Sequence, residues 1–161
     1  MKNVTRRLSA KLSVCLLSCG LASLAAADTL LSPVGLWKSF DDVTGLADAE
    51  VKIIDVNSQL TGTIVHDLIT SPTDKPLVCE KCTDDRKGKP VVGMEIIRYA
   101  RYNAEQDSWD GGQILDPDEG KIYRLRIKVL DSGKKLQVRG YSGLFYRTQI
   151  WERLPYPSWG F

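Results

Sequence analysis

The chain has 161 residues, 43% hydrophobic and 26% charged, which is the length and composition of one globular domain. Its formal net charge is +2, but four of its basic residues lie in the first 27 positions, at Lys2, Arg6, Arg7 and Lys11. The other residues carry 18 basic and 20 acidic side chains. This mildly acidic balance argues against nucleic-acid binding and against adhesion to an anionic membrane surface.

The first predicted element is an export signal. An apolar run over residues 12–24 follows the basic positions, and Ala25–Ala27 supplies the small residues of an A-x-A cleavage site. Cleavage after Ala27 defines a signal peptide at 1–27, so we expect a periplasmic or secreted protein. Lipid attachment at Cys19 is a less favoured alternative, because the apolar run continues past it. No later segment approaches the roughly 20 apolar residues of a membrane-spanning helix.

Residues 28–154 show short strand patterns and little room for helices. The clearest is Lys121–Leu130, where apolar residues alternate with Arg124, Arg126 and Lys128. Further strands are predicted at 36–40, 50–56, 60–66, 95–102, 111–115, 136–141 and 145–152. Connections such as Asn57–Ser58 and Asp131–Gly133 are too short for a crossover helix, so neighbouring strands must be antiparallel. About eight such strands close most economically into an all-β, up-and-down barrel without exposed edges.

The connection over residues 71–90 is longer and more polar than the others, and it contains Cys79 and Cys82. In an oxidising compartment these cysteines are predicted to form a disulfide that pins the loop. Their Cys-x-x-Cys spacing also matches a redox motif, but the strand-to-helix context of a thioredoxin-like site is missing. Residues 155–161 contain Pro155 and Pro157 and are predicted to form a C-terminal tail.

Several motifs resemble a known family: Gly35-Leu36-Trp37 at the start, Trp109-Asp110-Gly111-Gly112 and Gly120-Lys121-Ile122-Tyr123 in the middle, and Ile150-Trp151-Glu152-Arg153 at the end. Over residues 33–154 the chain resembles the bacterial exported domain of unknown function 2147 family. The resemblance implies a lipocalin-like barrel without an established activity. It also implies a structural role for Trp37 and Arg153, with the indole plugging the barrel base and the guanidinium covering it.

No catalytic, metal or cofactor site is predicted from the sequence. Zinc requires three or four ligands, and His66 is the only histidine. Residues 116–120 (Asp-Pro-Asp-Glu-Gly) fit a turn better than a calcium cage. Ser142 lies between glycines but lacks the context of a nucleophile elbow, and a turn at Ser142 and Gly143 is favoured. An enzyme is therefore the least favoured class.

The favoured function is an exported module that holds a small apolar or amphipathic ligand inside the barrel. Candidate ligand-binding residues are Trp109, Tyr141, Arg139, Tyr99 and Tyr123. Arg98 and Arg101 could join Arg139 in binding an acidic head group, or the same side chains could fill the interior and decorate the outside. The alternative function is an envelope interaction module that acts through its surface and the cysteine loop. A protein partner and the oligomeric state do not follow from the sequence.

Overall fold

A computed structural model describes residues 31–69 and 77–155, so the predicted signal peptide and tail lie largely outside the described residues. Each strand pairs antiparallel with the next, and β8 pairs with β1 to close the barrel. This confirms the predicted up-and-down barrel. The strands are β1 (Gly35–Phe40), β2 (Ala47–Val56), β3 (Gln59–Asp67), β4 (Glu95–Asn103), β5 (Ser108–Asp116), β6 (Lys121–Leu130), β7 (Lys135–Ser142) and β8 (Phe145–Leu154).

Alternation of side chains places the core inside the barrel. On β6, Leu125 and Ile127 are buried, and Arg124 between the strand's apolar positions is exposed, as the pattern predicted. β5 begins at Ser108, three residues before the predicted start. The glycine taken as that start, Gly111, has a positive φ and lies where the β5–β6 register shifts. It forms a bulge within the strand, because glycine adopts this conformation without a Cβ penalty.

An antiparallel meander places alternate connections at opposite ends of the barrel. The connections after β2, β4 and β6 lie at one end, called here the closed end. Those after β1, β3, β5 and β7 lie at the other, called here the open end. Among residues 31–69 and 77–155, no helix has the length and apolar character needed to cross a membrane.

The closed end is sealed by Trp37 and Arg153. Trp37 is fully buried, and its Nε1 donates a 2.8 Å hydrogen bond to the Pro33 carbonyl oxygen. The Arg153 guanidinium lies 4.1 Å from the centre of the indole, in the arrangement that the resemblance implies. It also donates to the carbonyl oxygens of Ser32 at 2.6 Å and Val34 at 2.9 Å. One side chain therefore ties the last strand to the segment that precedes the first.

The cysteine loop is fixed against the connection between β5 and β6. Cys79 and Cys82 form the predicted disulfide, and both are fully buried. The Cys79 sulfur lies 3.2 Å from the Pro117 carbonyl oxygen. A Cβ on Gly120, which has φ +66°, would overlap the Lys81 backbone carbonyl. The loop thus packs on a connection at the open end through contacts that leave no space for a side chain at position 120.

Candidate ligand-binding site at the open end of the barrel

The barrel interior contains a cavity of about 320 Å³ that opens between the connections of the open end. Its apolar wall comes from inward-facing side chains on six strands: Val51, Ile64, Ile96, Ile114, Val138 and Trp151. The volume lies at the lower end of the roughly 300–1,000 Å³ of small-molecule pockets. The interior is therefore filled with side chains at the closed end and hollow at the open end.

Two polar side chains of the cavity wall, Trp151 and Gln149, have hydrogen-bond partners within the protein. The buried Trp151 indole donates from Nε1 to Gln149 Oε1 at 2.9 Å, and Gln149 Nε2 donates to the Phe40 carbonyl oxygen at 3.3 Å. Since buried polar groups cost free energy unless they are hydrogen-bonded, these bonds keep the wall compatible with an apolar occupant.

Within residues 31–69 and 77–155, the mouth of the cavity is lined by four carboxylates, of Asp41, Asp48, Asp116 and Asp118, and by one guanidinium, of Arg147. Arg147 is already engaged: its Nε pairs with Asp42, and its Nη1 lies 3.7 Å from Asp116 Oδ2. The Asp42 hydrogen bond is the largest influence raising the pKa of Arg147. Arg147, the one basic side chain that the described residues place at the mouth, is thus held by the surrounding acids.

Asp48 lies near the start of β2, with its side chain in the cavity wall. It accepts a hydrogen bond from the Ser39 hydroxyl, a neutral donor. Burial raises the pKa of Asp48 above its ordinary value, and the negative charge of Asp41 adds to the effect. Asp41 behaves differently, because the Thr44 hydroxyl and backbone N–H hold the pKa of Asp41 below its usual range.

Asp118 belongs to the connection between β5 and β6, where Asp116 accepts the backbone N–H groups of Asp118 and Glu119 at 3.0 Å each. This hydrogen bonding is typical of an Asx turn and agrees with the turn predicted for residues 116–120. Partial desolvation at the mouth raises the pKa of Asp118, and the carboxylates of Asp116 and Asp67 raise it further. The turn therefore presents a carboxyl group whose charge is poorly compensated.

One of the five predicted ligand-binding residues lies in the cavity wall. Tyr123 lines the mouth, and its hydroxyl donates to Glu119 Oε2 at 2.7 Å. This bond is the main reason that the pKa of Tyr123 rises to about 12. Tyr123 is therefore a neutral phenol at physiological pH.

Arg139 and Tyr141 flank Gly140, and it is Gly140 that lines the cavity. Successive side chains of a strand point to opposite faces, so both neighbours lie on the outer surface. There Arg139 donates to Thr148 Oγ1 at 2.8 Å and lies 4.6 Å from the centre of the Tyr146 ring. Tyr141 packs on the same tyrosine, with ring centres 6.0 Å apart. The two side chains belong to an external cluster.

The remaining two predicted residues also lie away from the cavity. Trp109 is next to the β4–β5 connection at the closed end, with its ring centre 4.8 Å from that of Tyr102. Tyr99 is 58% exposed and has a φ of +68° at an irregularity in the β3–β4 pairing. Ligand binding by these residues stays a prediction, and the cavity brings together a different set.

The mouth acids and Arg147 were not singled out from the sequence, although the sequence contains a signal for them. In a meander, the connections after β1, β5 and β7 must meet at one end. Asp41, Asp116 and Asp118 belong to or flank two of these connections, and Arg147 follows the third. Counting connections along the chain is therefore enough to assign these charges to the same end of the barrel.

The sole histidine does not take part in this site. His66 Nδ1 lies 2.6 Å from Glu50 Oε2 and its side chain is 63% exposed, away from the cavity wall. Within residues 31–69 and 77–155, no group of three or more His, Cys, Asp or Glu side chains is placed to hold a metal ion. Both sulfurs of the disulfide belong to buried residues, so the Cys-x-x-Cys segment does not present an exposed sulfur.

A closed barrel of eight antiparallel strands in sequence order, sealed at one end and hollow at the other, is a lipocalin-like barrel. A solved structure from the human pathogen Helicobacter pylori, described as belonging to the lipocalin family, has the same fold with a TM-score of 0.65. The two chains are 16% identical, and the match covers 78% of this chain and 85% of the other.

The chain belongs to the family described as "Uncharacterized protein conserved in bacteria (DUF2147)", whose model matches residues 35–153. The matched range includes the whole barrel up to Arg153, and it bears out the family resemblance seen in the sequence motifs. No curated protein matches the sequence.

Proposed function

We propose that the protein is an exported binding module of the bacterial cell envelope that holds one small, partly apolar molecule in the cavity at the open end. The observation that carries the proposal is the division of the barrel interior. One end is sealed by Trp37 and Arg153, and the other contains a cavity of about 320 Å³ with an apolar wall. Apolar burial there would contribute about 25 cal/mol per Å² of ligand surface removed from water.

The envelope location is supported by the basic and apolar N-terminal segment followed by Ala25–Ala27. The buried disulfide is consistent with it, because disulfides persist in oxidising compartments. Both features support export, and neither identifies the ligand.

The test is native mass spectrometry of the protein purified from its own cell envelope. A bound molecule would appear as extra mass that is lost on denaturation. The matched variants are Ala49→Phe, which fills the cavity from its wall, and Ala104→Phe, which adds the same ring to an exposed turn. Extra mass in the wild type and in Ala104→Phe but not in Ala49→Phe is the expected result.

Equal extra mass in both variants would place the ligand outside the cavity and contradict the proposal. No extra mass in any form, together with no binding of added apolar ligands, would favour the interaction module that acts through its surface.

A further inference from the structure

We infer that the ligand of the open-end cavity is a cationic amphiphile, whose ammonium or comparable head group lies between Asp48 and Asp118 while its apolar body packs against Val51, Ile64 and Val138. This inference rests on the proposed function, since it names the chemistry of the molecule held in that cavity. The cavity defines the site, and the charges at its mouth decide which head group it accepts.

The charged groups at the mouth are mostly negative. Among the described residues, four carboxylates and one guanidinium line the cavity, and the guanidinium, of Arg147, is engaged by Asp42 and Asp116. An anionic head group would meet uncompensated negative charge and find no free cation among the described lining residues. A cationic head group would meet the opposite sign in a partly desolvated space, where Coulomb interactions are stronger than in water.

Acids elsewhere in the molecule differ from those at the mouth. Asp84 pairs with the buried Arg86, which lowers the pKa of Asp84 to about 2. Asp85 and Glu95 both pair with Arg98 on the outer face of β4. These carboxylates each have a basic partner built into the fold.

No basic partner of this kind is found for Asp48 or Asp118 in the part of the chain that the structure describes. Among the described residues, neither lies within ion-pair distance of a basic side chain, and Asp48 has only the Ser39 hydroxyl as a side-chain donor. Lys81 acts on Asp118, but the carboxylates of Asp116 and Asp67 outweigh it. Both pKa values are raised, as expected for carboxylates that are desolvated beside like charges. A bound ammonium would supply the missing counter-ion.

The arginines expected to bind an acidic head group lie outside the cavity. Arg139, expected from the sequence to contact an acidic head group, bonds Thr148 on the outer surface. Arg98, expected in the same role, is held by Asp85 and Glu95. Neither residue lines the cavity. The arginines that would favour an acidic ligand are therefore outside the barrel, and the acids that favour a cation are at its mouth.

The experiment compares three ligands with the same tail. Octylammonium, octan-1-ol and octanoate are titrated into the mature protein by isothermal titration calorimetry at neutral pH. We expect a single site that binds octylammonium about tenfold more tightly than octan-1-ol, the ratio that corresponds to one favourable ionic contact. Octanoate should bind more weakly than either.

The variants are Asp48→Asn and Asp118→Asn, and Asp131→Asn is the matched control. Asp131 is an exposed acid at the closed end, so its removal changes the net charge equally without touching the mouth. The preference for octylammonium over octan-1-ol should fall severalfold in the two mouth variants and stay unchanged in the control. Asp118 is exposed on a turn, so its variant gives a second test that leaves the hydrogen bond between Ser39 and Asp48 unchanged.

Equal affinity for the three ligands, blocked by Ala49→Phe, would overturn the cationic assignment while leaving the proposed function intact. If Asp131→Asn reduces the preference for octylammonium as much as Asp48→Asn does, the preference reflects only the net charge of the protein. This result would also overturn the cationic assignment. Failure of all three ligands to bind would count against the proposed function itself.

Discussion

The two ends of the barrel differ in how their charged side chains are partnered. At the closed end, the Arg153 guanidinium donates to the carbonyl oxygens of Ser32 and Val34 and lies over the Trp37 ring, so neutral groups hold this cation in place. At the open end, Asp48 and Asp118 are only partly compensated, and Arg147 is shared among acids. The closed end is built for stability, whereas the open end keeps space and unbalanced charge that a ligand can use. The burial and hydrogen bonding of a charged side chain therefore distinguish the closed end from the open end more clearly than the residue type does.

The largest expected effect follows from removing the plug. Trp37→Ala deletes a fully buried indole, so we expect a loss of about 3–5 kcal/mol in the free energy of unfolding. Phe145→Ala at the open end removes an aromatic ring that is 82% exposed, and should change stability by less than about 0.5 kcal/mol. Urea denaturation measures both. Similar losses in the two variants would contradict the assignment of stability to the closed end.

An arginine-to-lysine exchange at each end tests the same difference in stability between the two ends. Arg153→Lys keeps the charge but loses the planar fork that reaches several carbonyl oxygens, and should cost about 2–3 kcal/mol because buried acceptors are left unpaired. Arg147→Lys replaces a half-exposed ion-pair partner and should cost less than about 1 kcal/mol. Thermal unfolding of the two variants, followed by circular dichroism, gives the ranking. The reverse order would contradict the account.

The disulfide connects stability with the open end. Cys79→Ser combined with Cys82→Ser should lower the free energy of unfolding by about 2 kcal/mol, from the loop-entropy effect of a very short loop. Since the loop packs on Pro117 and Gly120, hydrogen exchange should increase in residues 116–120 and stay unchanged at Trp37. Faster exchange throughout the barrel would instead show that the disulfide supports the whole fold.

The smallest effect concerns Asp48. Asp48→Asn should leave stability at neutral pH within about 0.5 kcal/mol of the wild type. The pKa of Asp48 is raised in the folded state, so the folded protein binds this proton more tightly than the unfolded chain, whose value is near 3.8. The wild type should therefore gain stability relative to Asp48→Asn as pH falls through the folded pKa toward 3.8. Urea midpoints across this range measure the difference, and a relative loss on acidification would contradict it.

The fold could be predicted because its signals are local. Alternation along β6 indicated a strand with one buried face, and the short connections required antiparallel neighbours. The motifs around Trp37 and Arg153 indicated the family. The predicted start of β5 was less accurate, because a glycine at a bulge, such as Gly111, has the same sequence pattern as a glycine at a strand boundary.

The cavity was harder to predict. The candidate ligand-binding residues were identified because they are aromatic or basic, and not because they lie on the inward face of a strand. Tyr141 and Val138 are three positions apart on β7, so the inward direction of Val138 already places Tyr141 outside. Of the mouth acids, Asp116 and Asp118 were explained by a turn over residues 116–120, which agrees with the hydrogen bonds that Asp116 accepts. Their shared location depends on how the whole barrel closes, and no single segment carries that information.

The central claim is that one end of the barrel binds a ligand and the other is sealed. Methyl NMR during titration with octan-1-ol tests this claim. The head group of octan-1-ol is neutral, so the result does not depend on the charges at the mouth. We expect shifts in the cavity-wall methyl groups of Val51, Ile64, Ile96 and Val138, and none at the core residues Ile53 and Leu60, which do not line the cavity. Shifts confined to surface residues, or equal shifts at both ends, would contradict it.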